Sequence, residues 1–109
     1  MAPVHDEIDR LITDHKVAMI AKKSCPFCKK AKKILDTYKM SAEDFVVRDL
    51  EGDPDGGKAV QDYMARMTGA RTVPRVFIEG QFVGGADQVA AIHKNGELAT
   101  LLKRADAIQ

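Results

Sequence analysis

"VAMIAKKSCPFCKKAKKIL", residues 17–35, runs from an apolar five-residue segment through two cysteines into a lysine-rich amphipathic stretch. The short apolar run has strand character, and the apolar spacing beyond it is helical, with a helix expected from Pro26 to about Met40. The junction decides where the thiols stand. Cys25 falls at the boundary, and Pro26 suits a first helical position, where a missing N–H costs nothing. Cys25 therefore faces helix-start N–H groups and the positive end of the helix dipole, both of which favour thiolate. Within the helix, Cys28, Ala31, Leu35 and Tyr38 share one stripe, and Lys29, Lys30, Lys32 and Lys33 take the rest. The expectation is an accessible, acidic Cys25 and a shielded Cys28 placed to resolve a bond made by Cys25.

Working outward, Val4, Ile8, Leu11 and Ile12 repeat at helical spacing before the first strand. "FVVRDL", 45–50, reads as the next strand. Asp53-Pro54 is expected to open a third helix with Val60, Tyr63, Met64 and Met67 as its apolar positions, ended by Gly69 in the left-handed conformation. "RVFI" and "QFVG" flank Glu79-Gly80, a two-residue hairpin turn. A final helical segment breaks at Asn95-Gly96. The order predicts an α/β fold: a four-stranded mixed sheet, with a parallel pair and an antiparallel hairpin, flanked by helices. That is the thioredoxin-like plan.

At 109 residues the chain holds one domain, 1–109, with a single core. A net charge of +1 gives no sign of a nucleic-acid partner. No apolar run approaches the roughly 20 residues that span a bilayer, so no membrane role is expected. "MAPVHDEIDR" carries acids and no apolar core, unlike a secretory signal, and a cytoplasmic location is expected. A thiol pair in such a chain points to redox or metal chemistry rather than structural stapling. Glu43, Asp44, Asp49, Glu51, Asp53 and Asp55 read as a solvated acidic edge.

Zinc fits poorly. A structural site wants four ligands, a lone C-x-x-C supplies two, and His5, His15 and His93 are scattered. Two inert core thiols are the bland alternative, against which the helix-start position of Cys25 argues. Lowering a thiol from a pKa of ~8.5 to ~5.5 raises its thiolate fraction at pH 7 about thirtyfold and costs roughly twentyfold in nucleophilicity. The larger gain is as a leaving group, so Cys25 suits accepting a thiol adduct and then releasing it.

"CPFC" after a strand, "TVPRVFI" at 72–78 and "GG" at 84–85 followed by Asp87 together resemble the dithiol glutaredoxins, from about residue 4 to 108. The "WCGPC" of a thioredoxin is absent. The resemblance implies a glutathione-dependent thiol-disulfide oxidoreductase, with Cys25 as nucleophile and Cys28 as resolving thiol. It implies that Pro74 is a cis-proline facing Cys25 in the Thr72-Val73-Pro74 loop, with the backbone of Val73 offered to the cysteinyl part of glutathione. Lys22, Gln61 and Arg71 match positions that hold the glycyl carboxylate. Gly84, Gly85 and the following helix start match the γ-glutamyl carboxylate site, and Asp87 meets the ammonium or caps the helix. Gln88 replaces the usual Asp, and Phe27 the commoner Tyr, which keeps a ring beside the site without its hydroxyl.

Taken without the resemblance, Lys22 and Arg71 are surface charges, Gln61 is a polar helix position, and Thr72-Val73-Pro74 is a loop before a strand. With the resemblance, glutathione is implied as the reductant, no metal is expected, and the implied partners are glutathionylated or disulfide-containing proteins. Glutathione reductase acts indirectly through the glutathione pool, and a monomer suffices. Two rivals remain: a carrier of a [2Fe–2S] cluster with glutathione as co-ligand, against which Pro26 argues, and a thioredoxin-like reductant. The four helix lysines read as a solvated face, or as a surface attracting anionic glutathione and acidic substrate proteins.

Overall fold

Val17–Ala21 forms strand β1, buried at every residue. A strand with no polar face needs cover on both sides, and alternate side chains supply one contact to each. The computed structural model, which describes residues 3–109, shows where that cover comes from. Helix α1 spans Pro3–Asp14, α2 Pro26–Asp36, β2 Phe45–Asp49, α3 Lys58–Thr68, β3 Arg75–Ile78, β4 Gln81–Gly84, α4 Ala86–Lys94 and α5 Glu97–Arg104. The sheet order is β2-β1-β3-β4. β1 runs parallel to β2 and antiparallel to β3, and β3 pairs antiparallel with β4. This is the expected mixed sheet with helices on both faces.

Val17, Met19 and Ala21 point into a core shared with Cys28, Ala31 and Leu35 of α2, Val89 of α4, and Leu98 and Leu102 of α5. Ala18 and Ile20 point the other way, joining Ile8 and Ile12 of α1, Val60 and Met64 of α3, Leu50 and Phe77. Val73 packs against both cores. The hairpin turn is as expected: Glu79 and Gly80 have φ of 51° and 76°, the two positive values a type I′ turn requires.

Two boundaries and one burial differ from the sequence reading. α2 ends at Asp36, not near Met40, because the Thr37 hydroxyl takes the Ile34 carbonyl at 2.6 Å and competes with the helix ladder. Tyr38 still packs on the core from beyond the helix end, and its hydroxyl meets His93 Nδ1 at 2.6 Å. Asp53-Pro54 opens a tight 3-10 turn, Pro54–Gly57, and α3 begins only at Lys58. Asp55, Gly56 and Gly57 all have positive φ there, so the backbone is not helical. Gly57 lies on buried Leu50, and a Cβ on it would come within 2.6 Å of the Leu50 Cβ. Met67, read as an apolar stripe position, is 42% exposed. None of the helices among the described residues is long and apolar enough to cross a membrane.

Candidate active site

Cys25 is the N-cap of α2, with an extended backbone (φ −82°, ψ 119°). Its sulfur accepts the N–H of Cys28 at 3.3 Å, the place usually taken by a Ser, Thr or Asp oxygen. Its carbonyl accepts the Lys29 N–H at 3.1 Å and so starts the helix ladder. The sequence reading put the thiol at this helix start, and the structure adds a donor already aimed at the sulfur.

The two thiols are unlike. Cys25 is half-buried, whereas Cys28 is 4% exposed. The Lys22 N–H donates to Cys28 Sγ at 3.5 Å. Burial, helped by a hydrogen bond with Cys25, pushes the Cys28 thiol up to about 12. Cys28 therefore keeps its proton at neutral pH, and only one of the two sulfurs is open to a reaction partner.

Opposite Cys25 stands the loop before β3. The Val73–Pro74 bond is cis. The Cys25 thiol donates to the Val73 carbonyl at 3.8 Å. Beside this pair opens a cavity of about 310 Å³, walled by Phe27, by Thr72 to Arg75 and by Gly85 to Gln88. Seven residues singled out in the sequence thus meet at one cleft: Phe27, Thr72, Val73, Pro74, Gly85, Asp87 and Gln88. Phe27 is 58% exposed, an apolar ring presented to solvent at the rim.

The start of α4 closes the far wall. Gly84 has φ of 148°, and a Cβ there would lie 2.4 Å from Gln88 Cβ, so only glycine fits. Gln88 Oε1 accepts the Gly85 N–H at 2.9 Å, one half of a capping box. Gly85 has no side chain to supply the other half. The Gln88 side chain is thereby engaged by its own helix rather than offered to a ligand, while the first-turn N–H groups face the cleft with the positive end of the dipole.

Lys22, Gln61 and Arg71 are only partly gathered. Gln61 Nε2 donates to the Arg71 carbonyl at 2.9 Å, which ties α3 to the loop before Val73. The Arg71 guanidinium is held by Asp62 at 3.0 Å, and Lys58 reaches the same carboxylate at 2.7 Å. These two cations, Lys58 first, hold the Asp62 carboxyl below its ordinary range. The Lys22 ammonium lies toward the turn leading into α3, where a Cβ on Gly56 would come within 3.7 Å of it.

Two groups with a part in the site were not singled out in the sequence. The acidic edge is not simply solvated. Asp49 Oδ1 accepts the Lys23 N–H at 3.1 Å and the Glu51 N–H at 3.0 Å. Glu51 Oε2 accepts the Ser24 N–H at 2.5 Å, and hydrogen bonds from Ser24 hold this carboxyl below its ordinary range. Together they fasten the loop that carries Cys25. Asp53 and Glu7 clasp Arg48 at 2.8 and 2.7 Å and raise its pKa, fixing the segment that follows β2. The alternation of acids after a strand was the only available signal.

Arg75 is the other group. It opens β3, lines the cleft, donates to Thr72 Oγ1 at 3.1 Å and to Thr68 Oγ1 at 3.3 Å, and stacks 4.9 Å from the Phe82 ring. Its Nε is buried without a partner among the described residues, and this desolvation lowers its pKa. In the sequence it is simply the first residue of a strand, and no local pattern marks it.

Comparison with known proteins agrees with this geometry. The family model described as Glutaredoxin matches residues 17–83. Glutaredoxin-1 of Rhizophagus irregularis is 38% identical over 102 residues, covering 94% of this chain and 97% of that protein. The crystal structure of oxidised glutaredoxin 2 from Chlamydomonas reinhardtii superposes with a TM-score of 0.87 at 40% identity, covering 96% and 95% of the two chains. A buckwheat glutaredoxin–glutathione complex superposes with a TM-score of 0.86 at 29% identity, covering 97% and 93%.

Proposed function

The chain belongs to the glutaredoxin family and is a glutathione-dependent thiol-disulfide oxidoreductase, and from that premise we propose how its own residues divide the work. Cys25 attacks the glutathione sulfur of a protein–glutathione mixed disulfide. A Cys25–glutathione disulfide forms, the protein–glutathione S–S bond breaks, and the protein sulfur leaves as thiolate and takes a proton. The thiolate of a second glutathione then attacks the adduct, frees Cys25 and departs as glutathione disulfide. Cys28 takes no part in this route.

The observation that carries the reading is the setting of Cys25. Its sulfur has an N–H donor from Cys28 behind it and the Val73 carbonyl beside it, at the edge of a cleft that ends on the α4 N-terminus. A glutathione joined to Cys25 lies along Thr72-Val73-Pro74, with its γ-glutamyl carboxylate at the N–H groups around Gly85 and its ammonium toward Asp87. Phe27 covers it from the rim. Its glycyl carboxylate extends toward Lys22 and the Gln61–Arg71 pair. The buckwheat glutaredoxin that shares the fold has been captured with glutathione, which supports a tripeptide in this cleft.

For protein disulfides, Cys25 forms the mixed disulfide with the substrate and Cys28 resolves it. Cys28 then has to give up its proton as it attacks. The resulting internal disulfide is reduced by two glutathiones, and glutathione reductase restores the pool. The deciding experiment is deglutathionylation of a labelled peptide by wild type, Cys25→Ser and Cys28→Ser. Activity lost in the first variant and kept in the second is expected. Activity surviving in Cys25→Ser would overturn the assignment.

A further inference from the structure

A second cavity, of about 300 Å³, opens on the opposite flank of α2 from the glutathione cleft. Its floor is apolar: Met19 of β1, the buried Cys28 and Val47 of β2. Val47 is 38% exposed, an uncovered apolar residue on an edge strand. The rim is cationic. Lys22 and Lys23 stand on the loop before Cys25, and Lys29 and Lys32 lie three apart on one side of α2, so they share a flank. Asp49 is the one acid in the wall, and its Oδ1 is already engaged by the Lys23 and Glu51 amides.

We propose that this groove is a docking site for the polypeptide of a protein substrate, recognising an acidic segment that carries one apolar side chain. The apolar residue seats on Met19 and Val47, and flanking carboxylates meet the lysine rim. The inference rests on the oxidoreductase reading above and extends it to the choice of substrate. Charge complementarity selects this occupant: a basic segment is repelled by four ammonium groups, and although Lys32 already meets Asp36 at 2.8 Å, an uncharged segment leaves Lys22, Lys23 and Lys29 without an anionic partner among the described residues. The position serves the dithiol route. A substrate held by a disulfide to Cys25 has its neighbouring residues within a few extended positions, about 3.3 Å each, of the groove. Glutathione keeps the Pro74 and α4 side and reaches the groove only at Lys22, so polypeptide and tripeptide occupy different flanks of one helix start and share that one lysine. The lysine run of the sequence thereby divides: Lys29 and Lys32 face the groove, and Lys30 and Lys33 lie outside its wall.

The test uses two cysteine-free fluorescent decapeptides, one with Asp and Glu flanking a central Leu, the other with Lys in their place. Anisotropy at low salt is expected to show saturable binding of the acidic peptide only. Lys29→Glu/Lys32→Glu should weaken it roughly tenfold or more, and physiological salt, with a Debye length of about 8 Å, should weaken it in wild type. Val47→Asp, which adds a charge to the floor without touching the rim, should also weaken it. Equal binding of both peptides, or acidic-peptide binding unchanged in both variants, would overturn the proposal. Because binding needs no thiol chemistry, the two readings separate. Charge-selective binding without glutathione-dependent turnover sinks the enzymatic reading alone. Turnover of a small uncharged disulfide, with no charge-selective binding, sinks only the docking site.

Discussion

Gln88 turns its side-chain carbonyl back onto the Gly85 N–H at 2.9 Å, so the residue that departs from the family's usual Asp serves its own helix. Two consequences separate cleanly. Gln88→Ala should remove a cap worth roughly 1 kcal/mol, lowering the melting temperature by about 4–8 °C in a domain of this size. The KM for glutathione should change little, since the proposed binding mode gives the γ-glutamyl carboxylate to backbone N–H groups and not to this side chain. A large rise in KM with an unchanged melting temperature would instead place the side chain on the ligand.

Gly84→Ala tests the floor beneath that cap. The new Cβ would overlap Gln88, 2.4 Å away, at a φ of 148° that L side chains rarely adopt. Overpacking and backbone strain together should cost roughly 2–5 kcal/mol, read by urea denaturation, with glutathione turnover falling in the fraction that remains folded. Stability within about 0.5 kcal/mol of wild type, the range of an ordinary surface change, would mean the segment relaxes freely.

The buried thiol gives the chain a specific alkaline weakness. Folded Cys28 holds its proton up to about 12, while an unfolded cysteine releases it near 9.0. Between those values the unfolded state binds fewer protons, so stability falls as pH rises through the window and is unaffected by this group below it. Guanidinium denaturation of wild type and Cys28→Ala at pH 7.5, 9 and 10 should show a steeper loss in wild type. Parallel pH profiles would contradict the shift. Iodoacetamide at neutral pH should label Cys25 and spare Cys28.

Asp49 joins the end of β2 to the loop that carries Cys25. Asp49→Ala removes the acceptor of two backbone N–H groups and should lower kcat/KM roughly tenfold, since small displacements of a reacting atom are costly. Asp49→Asn keeps an acceptor oxygen and should restore activity to within about twofold of wild type. Equal losses in both variants would mean the charge matters rather than the tether.

How much of this was legible depends on the range of the interaction. The strands, the N-cap position of Cys25 and the Gly69 terminus follow from local periodicity and turn chemistry, and they stand where the sequence put them. Phe27, Thr72 to Pro74, Gly85 and Asp87 entered through motifs of a resemblance and do converge on one cleft. What stayed hidden was set by distant partners. Asp49 and Glu51 look like solvent-facing acids until the loop at residues 23–24 is brought beside them. Arg75 gains its setting from Thr68, Thr72 and Phe82, none of which its local pattern indicates. The end of α2 was misjudged for a different reason: Tyr38 keeps the apolar period of the helix while lying beyond it.

Val73 touches the α1–α3 core on one side of the sheet and the α2–α4–α5 core on the other, and its carbonyl receives the Cys25 thiol. The sheet otherwise partitions the molecule into a half that carries the chemistry and a half that carries bulk. Sequence drift in α1 and α3 is therefore insulated from the reacting sulfur at nearly every position. The apolar leak in that insulation is Val73, joined by the polar ties of Gln61 to the Arg71 carbonyl and of Thr68 to Arg75. Compensating changes accumulated over a lineage should gather around Val73, Gln61 and Thr68.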